Sequence, residues 1–194
     1  MVLPGGSTPA LCLQLLAEMP LPWDSIYWYP GDERCYPVGH AERNDTMILE
    51  KLFSRQHAAS KNLQAIPAQL GPVAGAEAYA GLLDAALIQS DGKLDIVVLG
   101  MGEDGHTASM FPGNPALDDQ RSAVPVYDAP KPPSERISIG LNTLKDAALC
   151  IVIATGESKY DALQEIRQGS ALPVSMVEPD VWFVDESAVS KSTT

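Results

Sequence analysis

The stretch "LDIVVLGMGEDGHTASMFPG" (Leu94 to Gly113) carries the reading of the fold. Its first six residues are an apolar, β-branched run of strand length, which then breaks into Gly100, Gly102 and Gly105 with carboxylates and His106 set among them. Such a run ending in glycines reads as a buried strand that opens into a tight, ligand-facing turn. An imidazole is the side chain whose ordinary pKa lies near neutrality, so a histidine presented there can take a proton from water and return it. Asp104, two residues earlier, is placed to hold the loop or the imidazole.

Working outward, the same strand-then-helix rhythm recurs. Strands are predicted at "MVLP" at the start, "SIYWY" (Ser25 to Tyr29), "LCIVIA" (Leu149 to Ala154) and "VWFV" (Val181 to Val184), with weaker ones at "AVPVY" (Ala123 to Tyr127) and "RISIGL" (Arg136 to Leu141). Helices are predicted over Pro9 to Met19, Thr46 to Phe53, Glu77 to Leu87 and Tyr160 to Gly169. This alternation predicts an α/β fold: a doubly wound, mostly parallel open sheet with helices on both faces, Rossmann-like, in one domain spanning 1–194. The chain begins directly on a strand with no helix before it, so one side of the sheet is expected to be incompletely shielded. "YDAPKPPSER" (Tyr127 to Arg136) is expected to be an extended surface loop, and "ESAVSKSTT" a frayed tail.

Composition narrows the partners. The formal net charge of -12 excludes nucleic acid and anionic membrane, which require a concentrated positive face. A small anion can still bind if the few basic side chains and the amides at helix starts act locally. No apolar run is long enough to span a bilayer and the start lacks the pattern of a secretory leader, so a cytoplasmic protein is expected, for which an oligomer is compatible. Cys12, Cys35 and Cys150 are odd in number and lack metal-ligand spacing, and read as reduced, mostly buried thiols.

Ligands of open α/β sheets bind beyond the carboxyl ends of the strands. "PGGSTP" (Pro4 to Pro9) follows the first strand: Gly5 and Gly6 allow close backbone approach, Ser7 and Thr8 offer hydroxyls, Thr8 is a candidate N-cap and Pro9 suits the first helical position. It reads equally as a phosphate cradle or an ordinary capped turn. "GDERCYPVGHAERND" (Gly31 to Asp45) sets Asp32, Glu33 and Arg34 at a loop mouth, where Arg34 can fork onto a phosphate and Asp32 can orient a base or hydroxyl. Alone, these charges read as a solvated turn. "ATGESKYDAL" (Ala154 to Leu163) delivers Lys159 close to a helix start, an awkward place for a cation unless an anion joins it. Arg136 in "PPSERISI" is a further ligand candidate or a strand-edge charge.

Together these segments resemble the 6-phosphogluconolactonase family. The matching elements are "GGSTP", "GDERC" with Pro37 and Asn44, "LGMGEDGHTASMFPG", "SERISI" and "TGESK", in family order. The resemblance implies hydrolysis of 6-phospho-D-glucono-1,5-lactone to 6-phosphogluconate in the oxidative pentose phosphate pathway, without metal or organic cofactor. It implies that His106 is the acid/base residue, Arg34 and Lys159 are phosphate or substrate ligands near the Gly5 to Thr8 loop, and Asp32 and Asp104 are site-shaping carboxylates. Arg136 is a further ligand in that scheme. Ser109 and Ser7 have no evident paired base, which disfavours a covalent route. The chain departs from the family in carrying Arg43-Asn44 where members have Ser-Asn, an added cation that would reach the substrate or its phosphate, and in starting almost at the first motif. Two rivals remain: a glucosamine-6-phosphate deaminase or isomerase, whose "NGH" and "DEY" motifs differ from "DGH" and "DER" here, and a sugar-phosphate-binding module without catalysis.

Overall fold

The computed structural model describes residues 1–191, apart from the side chain of Ser7. Five parallel strands form the main sheet: β1 (Val2–Leu3), β2 (Tyr29–Pro30), β4 (Val97–Gly100), β7 (Cys150–Ala154) and β8 (Val181–Val184), in the order β2-β1-β4-β7-β8. The alternation read from the sequence is thus realised as a parallel α/β sheet. β1 shows why a strand of two residues suffices to build two layers. Val2 joins the large core on one face, while Leu3 joins a second core on the other, as the period of two requires.

On the Leu3 face, α1 (Ser7–Leu16) and α2 (Asn44–Lys51) pack Leu13 and Ile48 against Trp28 and Phe53. On the Val2 face lie α3 (Pro72–Gln89), α4 (Leu141–Lys145), α5 (Tyr160–Arg167), α6 (Pro173–Met176) and α7 (Glu186–Val189), contributing Leu83, Leu144, Leu163, Val174 and Ala188 to one buried cluster. α3 also buries Tyr79, whose hydroxyl donates to the Pro30 carbonyl at 2.8 Å. A fully buried phenol of this size needs such a partner.

A second sheet was not foreseen. β3 (Asp32–Arg34), β6 (Arg136–Ile139) and β5 (Ala123–Val126) form an antiparallel unit in the order β3-β6-β5, so the two weaker strand candidates do not extend the parallel sheet. "DER" is therefore strand rather than loop, paired residue for residue with Ser138, Ile137 and Arg136. The strand expected over Ser25 to Tyr29 begins only at Tyr29, because Trp23–Ser25 forms a 3-10 turn and Ile26 and Tyr27 approach the sheet without joining it.

Other expectations need amendment. Thr8 does not cap α1: Gly6, at φ 98°, holds the N-cap position, and Pro9 is the third helical residue. Cys12 is exposed, Cys35 half-buried and Cys150 buried, so the thiols are not mostly buried. The first four residues of the expected tail form α7, capped by Asp185, which accepts from the Ala188 amide at 2.9 Å. Residues 192–194 lie outside the described residues. Among the described residues no helix is long and apolar enough to cross a membrane.

Candidate active site

A cleft of about 580 Å3 opens where the carboxyl ends of β1, β4 and β7 meet the antiparallel sheet. Gly5, Gly6, Thr8, Asp32, Arg34, Asp104, His106, Arg136 and Lys159 all line it, so three loops and two strands scattered through the sequence converge on one space. Ser7 lies between two lining residues, with its side chain outside the described atoms.

The histidine loop is built around glycines. The Gly102 amide donates to the His106 carbonyl at 2.8 Å and the Gly105 amide to the Gly102 carbonyl at 3.2 Å, closing a compact turn after β4. A Cβ on Gly102 would run into the His106 imidazole, so the ring lies directly on bare backbone. Gly105 sits at φ 78° against Leu172, and its carbonyl accepts from the Val174 amide at 3.0 Å, docking the turn onto α6. His106 Nδ1 meets Asp104 Oδ1 at 2.5 Å, and the same oxygen accepts from the His106 amide at 3.1 Å. Burial opposes ionisation of Asp104, but the charge and hydrogen bonds of His106 outweigh it and hold the carboxyl below its ordinary value. An ionised Asp104 accepts a proton-bearing Nδ1 and thereby leaves Nε2 with the free lone pair a general base needs. Phe111 packs against the imidazole, 4.6 Å between ring centres.

Strand alternation sorts the "DER" residues. Asp32 and Arg34 face the cleft, whereas Glu33 between them is fully buried beneath it. Glu33 accepts from the amides of Arg34 and Asn44 at 2.8 Å and of Asp45 at 2.9 Å, which pins the start of α2 to β3. Burial pushes its carboxyl up to about 7, with those amides pulling the other way. Asp32 accepts from Asn44 Nδ2 at 3.0 Å and from Ser109 Oγ at 2.6 Å. Ser109 therefore does have a carboxylate partner, but it is fully buried and does not line the cleft, so it is no nucleophile.

Arg43 is not a cleft cation. It is 1% exposed, forks onto Asp45 at 2.9 and 2.6 Å, and donates to the carbonyls of Tyr36 and Ile66. The neighbour that matters is Asn44, whose amide also donates to the Asp32 carbonyl at 2.8 Å and fills the space a Cβ on Gly5 would need. One carboxamide thus joins the glycine loop of the parallel sheet to a strand of the antiparallel one. Thr8 Oγ1 and Thr155 Oγ1, 3.1 Å apart, make a similar tie between the first and last loops.

Arg34, Arg136 and Lys159 enter no ion pair among the described residues. Arg34 donates one Nη to the Glu42 carbonyl, and its Nε is buried without any partner. Arg136 is more occupied: Nη2 donates to the Lys131 carbonyl at 2.9 Å, Nε to the Pro133 carbonyl at 3.3 Å, and the guanidinium stands 5.7 Å from the Phe111 ring centre. Burial, with Arg34 adding to it, draws its pKa down. Asn44, Glu42, Lys131, Thr155 and Glu103 also line the cleft and were not picked out as site residues from the sequence. Asn44, Glu103 and Thr155 were visible only as parts of motifs, and Glu42 and Lys131 carry no local signal. No grouping of His, Cys, Asp and Glu among the described residues could hold a metal.

A family profile described as "Glucosamine-6-phosphate isomerases/6-phosphogluconolactonase" matches residues 1–191. The chain belongs to this family. Human 6-phosphogluconolactonase is 35% identical over 204 residues, covering 96% of this chain and 78% of the human one. The rat 6-phosphogluconolactonase is 39% identical over 166 residues, covering 81% of this chain, which spans 64% of the rat protein's length. The solved structure of a 6-phosphogluconolactonase from Thermotoga maritima superposes with a TM-score of 0.86 at 30% identity, over 94% of this chain and 83% of that one. Within the family, then, the α/β architecture of this chain is shared along nearly its whole length.

Proposed function

We propose that this chain, as one domain spanning 1–194, hydrolyses 6-phospho-D-glucono-1,5-lactone to 6-phosphogluconate, with His106 as the group that moves the proton. The observation that carries the reading is the Asp104–His106 pair set in a cleft where Arg34, Arg136 and Lys159 enter no ion pair among the described residues. A cytoplasmic setting in the pentose phosphate pathway belongs to the same proposal.

A lactone is an activated ester, so the chemistry asks for little beyond a base, an oriented water and a steadied oxyanion. His106 Nε2 takes a proton from water while the water oxygen bonds to C1, and the carbonyl electrons move onto the exocyclic oxygen. When the tetrahedral centre collapses, the bond from C1 to the ring oxygen breaks and the imidazolium returns the proton to that leaving oxygen. The new carboxylic acid ionises to a carboxylate, releasing one proton to solvent. Asp104 keeps the imidazole in the tautomer and orientation this requires. Arg34 and Lys159 hold the phosphate remote from C1, next to the Gly5 to Thr8 amides, which fixes the ring for attack. Asp32 is a shaping group, its carboxylate already engaged by Asn44 and Ser109. Arg136 supports the loop carrying Lys131 in this scheme instead of touching substrate.

The test is to generate the lactone in situ and follow its loss with wild type, with His106→Ala, and without protein, because the lactone also opens spontaneously. Acceleration by wild type that His106→Ala lacks is expected. A folded wild type that only matches the blank would overturn the reading in favour of a binding module, and release of ammonia from glucosamine 6-phosphate would favour the isomerase branch.

A further inference from the structure

The cleft contains one cation with no role so far, Lys131, carried by the proline-rich segment Pro130, Lys131, Pro132 that lines the cleft wall. Two hydrogen bonds from Arg136 fix the backbone of this segment, at the carbonyls of Lys131 and Pro133. Arg136 stands against Phe111, and Phe111 against His106. The segment is thereby held in register with the imidazole through rigid groups while the lysine side chain itself remains exposed. Its ammonium rests on Glu103 Oε1 at 3.1 Å, and Glu103 directly precedes Asp104 in the chain.

That resting contact is weak. An ion pair between two side chains 75% and 59% exposed is screened by solvent, so a better anion can displace it. Lys159 has no such resting partner among the described residues and lies on a different loop of the cleft, after β7. We propose that Lys131 is the specificity cation for the C1 end of the ligand, leaving Glu103 to meet the negative charge that forms beside His106. This rests on the lactonase reading for the identity of that charge: hydrolysis converts a neutral ester into a carboxylate at C1, and the phosphate at the far end is unchanged. Arg34 and Lys159 answer the charge that enters with the substrate. Lys131 answers the one the reaction makes.

The experiment compares two phosphorylated ligands by calorimetric titration: 6-phosphogluconate, which carries a C1 carboxylate, and sorbitol 6-phosphate, which carries a neutral hydroxymethyl there. Lys131→Met should weaken 6-phosphogluconate by roughly tenfold, the scale of one charge-assisted contact, and leave sorbitol 6-phosphate unchanged. Lys131→Arg should restore most of the loss, and Glu103→Gln should tighten 6-phosphogluconate alone, since it removes the competing anion. In turnover assays Lys131→Met should lower kcat more than it raises KM. Equal weakening of both ligands would make Lys131 a phosphate contact, and no change in either would make it a surface ion pair; each result overturns the proposal. Because titration reads binding without turnover, a wild type that binds both ligands but does not hydrolyse the lactone would sink the enzymatic reading alone. A wild type that binds neither would sink both.

Discussion

The two sheets meet at one cleft but supply it differently. The parallel sheet offers loops: the glycine turn after β1, the histidine turn after β4 and the lysine turn after β7 all lie where strands end. The antiparallel sheet offers strand residues, with Asp32 and Arg34 on alternate positions of β3 and Arg136 paired opposite Arg34 on β6. Loops can crowd backbone amides and a glycine-seated imidazole around a reacting atom, whereas side chains on paired strands are fixed by the ladder and suit a rigid anchor for charge. In the proposed reading the proton transfer belongs to the first region alone, while anchorage is shared, Arg34 on the second acting with Lys159 and the Gly5 to Thr8 amides on the first.

The largest effect that would break this division is at His106. Replacement by Ala should lower kcat by ~10²- to 10⁴-fold with an unchanged far-ultraviolet circular dichroism spectrum. Arg34→Met should act on the other term: KM for the lactone should rise roughly 10- to 100-fold, the loss of one charge-assisted phosphate contact, while kcat holds. A fall in kcat with KM intact would place Arg34 in the chemistry and undo the contrast. Asn44→Ala cuts the carboxamide that ties Gly5 to Asp32, and should cost about 1–3 kcal/mol in urea unfolding because it strands a buried carboxylate oxygen.

The smallest effect sharpens the contrast from below. Glu33, buried under the anchor strand, has its carboxyl raised from 4.5 to about 7, so the folded protein holds this proton more tightly than the unfolded chain does. Its contribution is therefore fully present below about pH 4.5 and is lost as the pH rises through about 7. Stability measured by denaturant across that window should decline more steeply in wild type than in Glu33→Gln. An equal slope in the two proteins would show that the amides of Arg34, Asn44 and Asp45 already keep Glu33 charged.

How far the sequence could be read follows the same line. β4 and β7 inside the parallel sheet and β8 on its half-exposed edge all write themselves as apolar runs, so they were legible, and with them the loops at their ends. β3 was not, because three charged residues carry no apolar alternation and pair only through partners about a hundred positions away. Arg43 was misjudged for a related reason: its charge is paired with Asp45 and two carbonyls, one of them from Ile66, accept its other N–H groups, and nothing local announces that it is buried. Lys131 reaches the cleft through the tertiary arrangement alone. Asp104 was legible because a residue two positions before a histidine, in a turn of glycines, has few other places to point.

Gly102 has a consequence at the level of the gene. Every glycine codon is insensitive to its third base, and every change at the first or second base gives a stop or a residue bearing a Cβ, which would strike the imidazole. The position therefore has no neutral neighbours among missense changes, and a lineage that keeps the histidine in this pose can drift at that codon only silently.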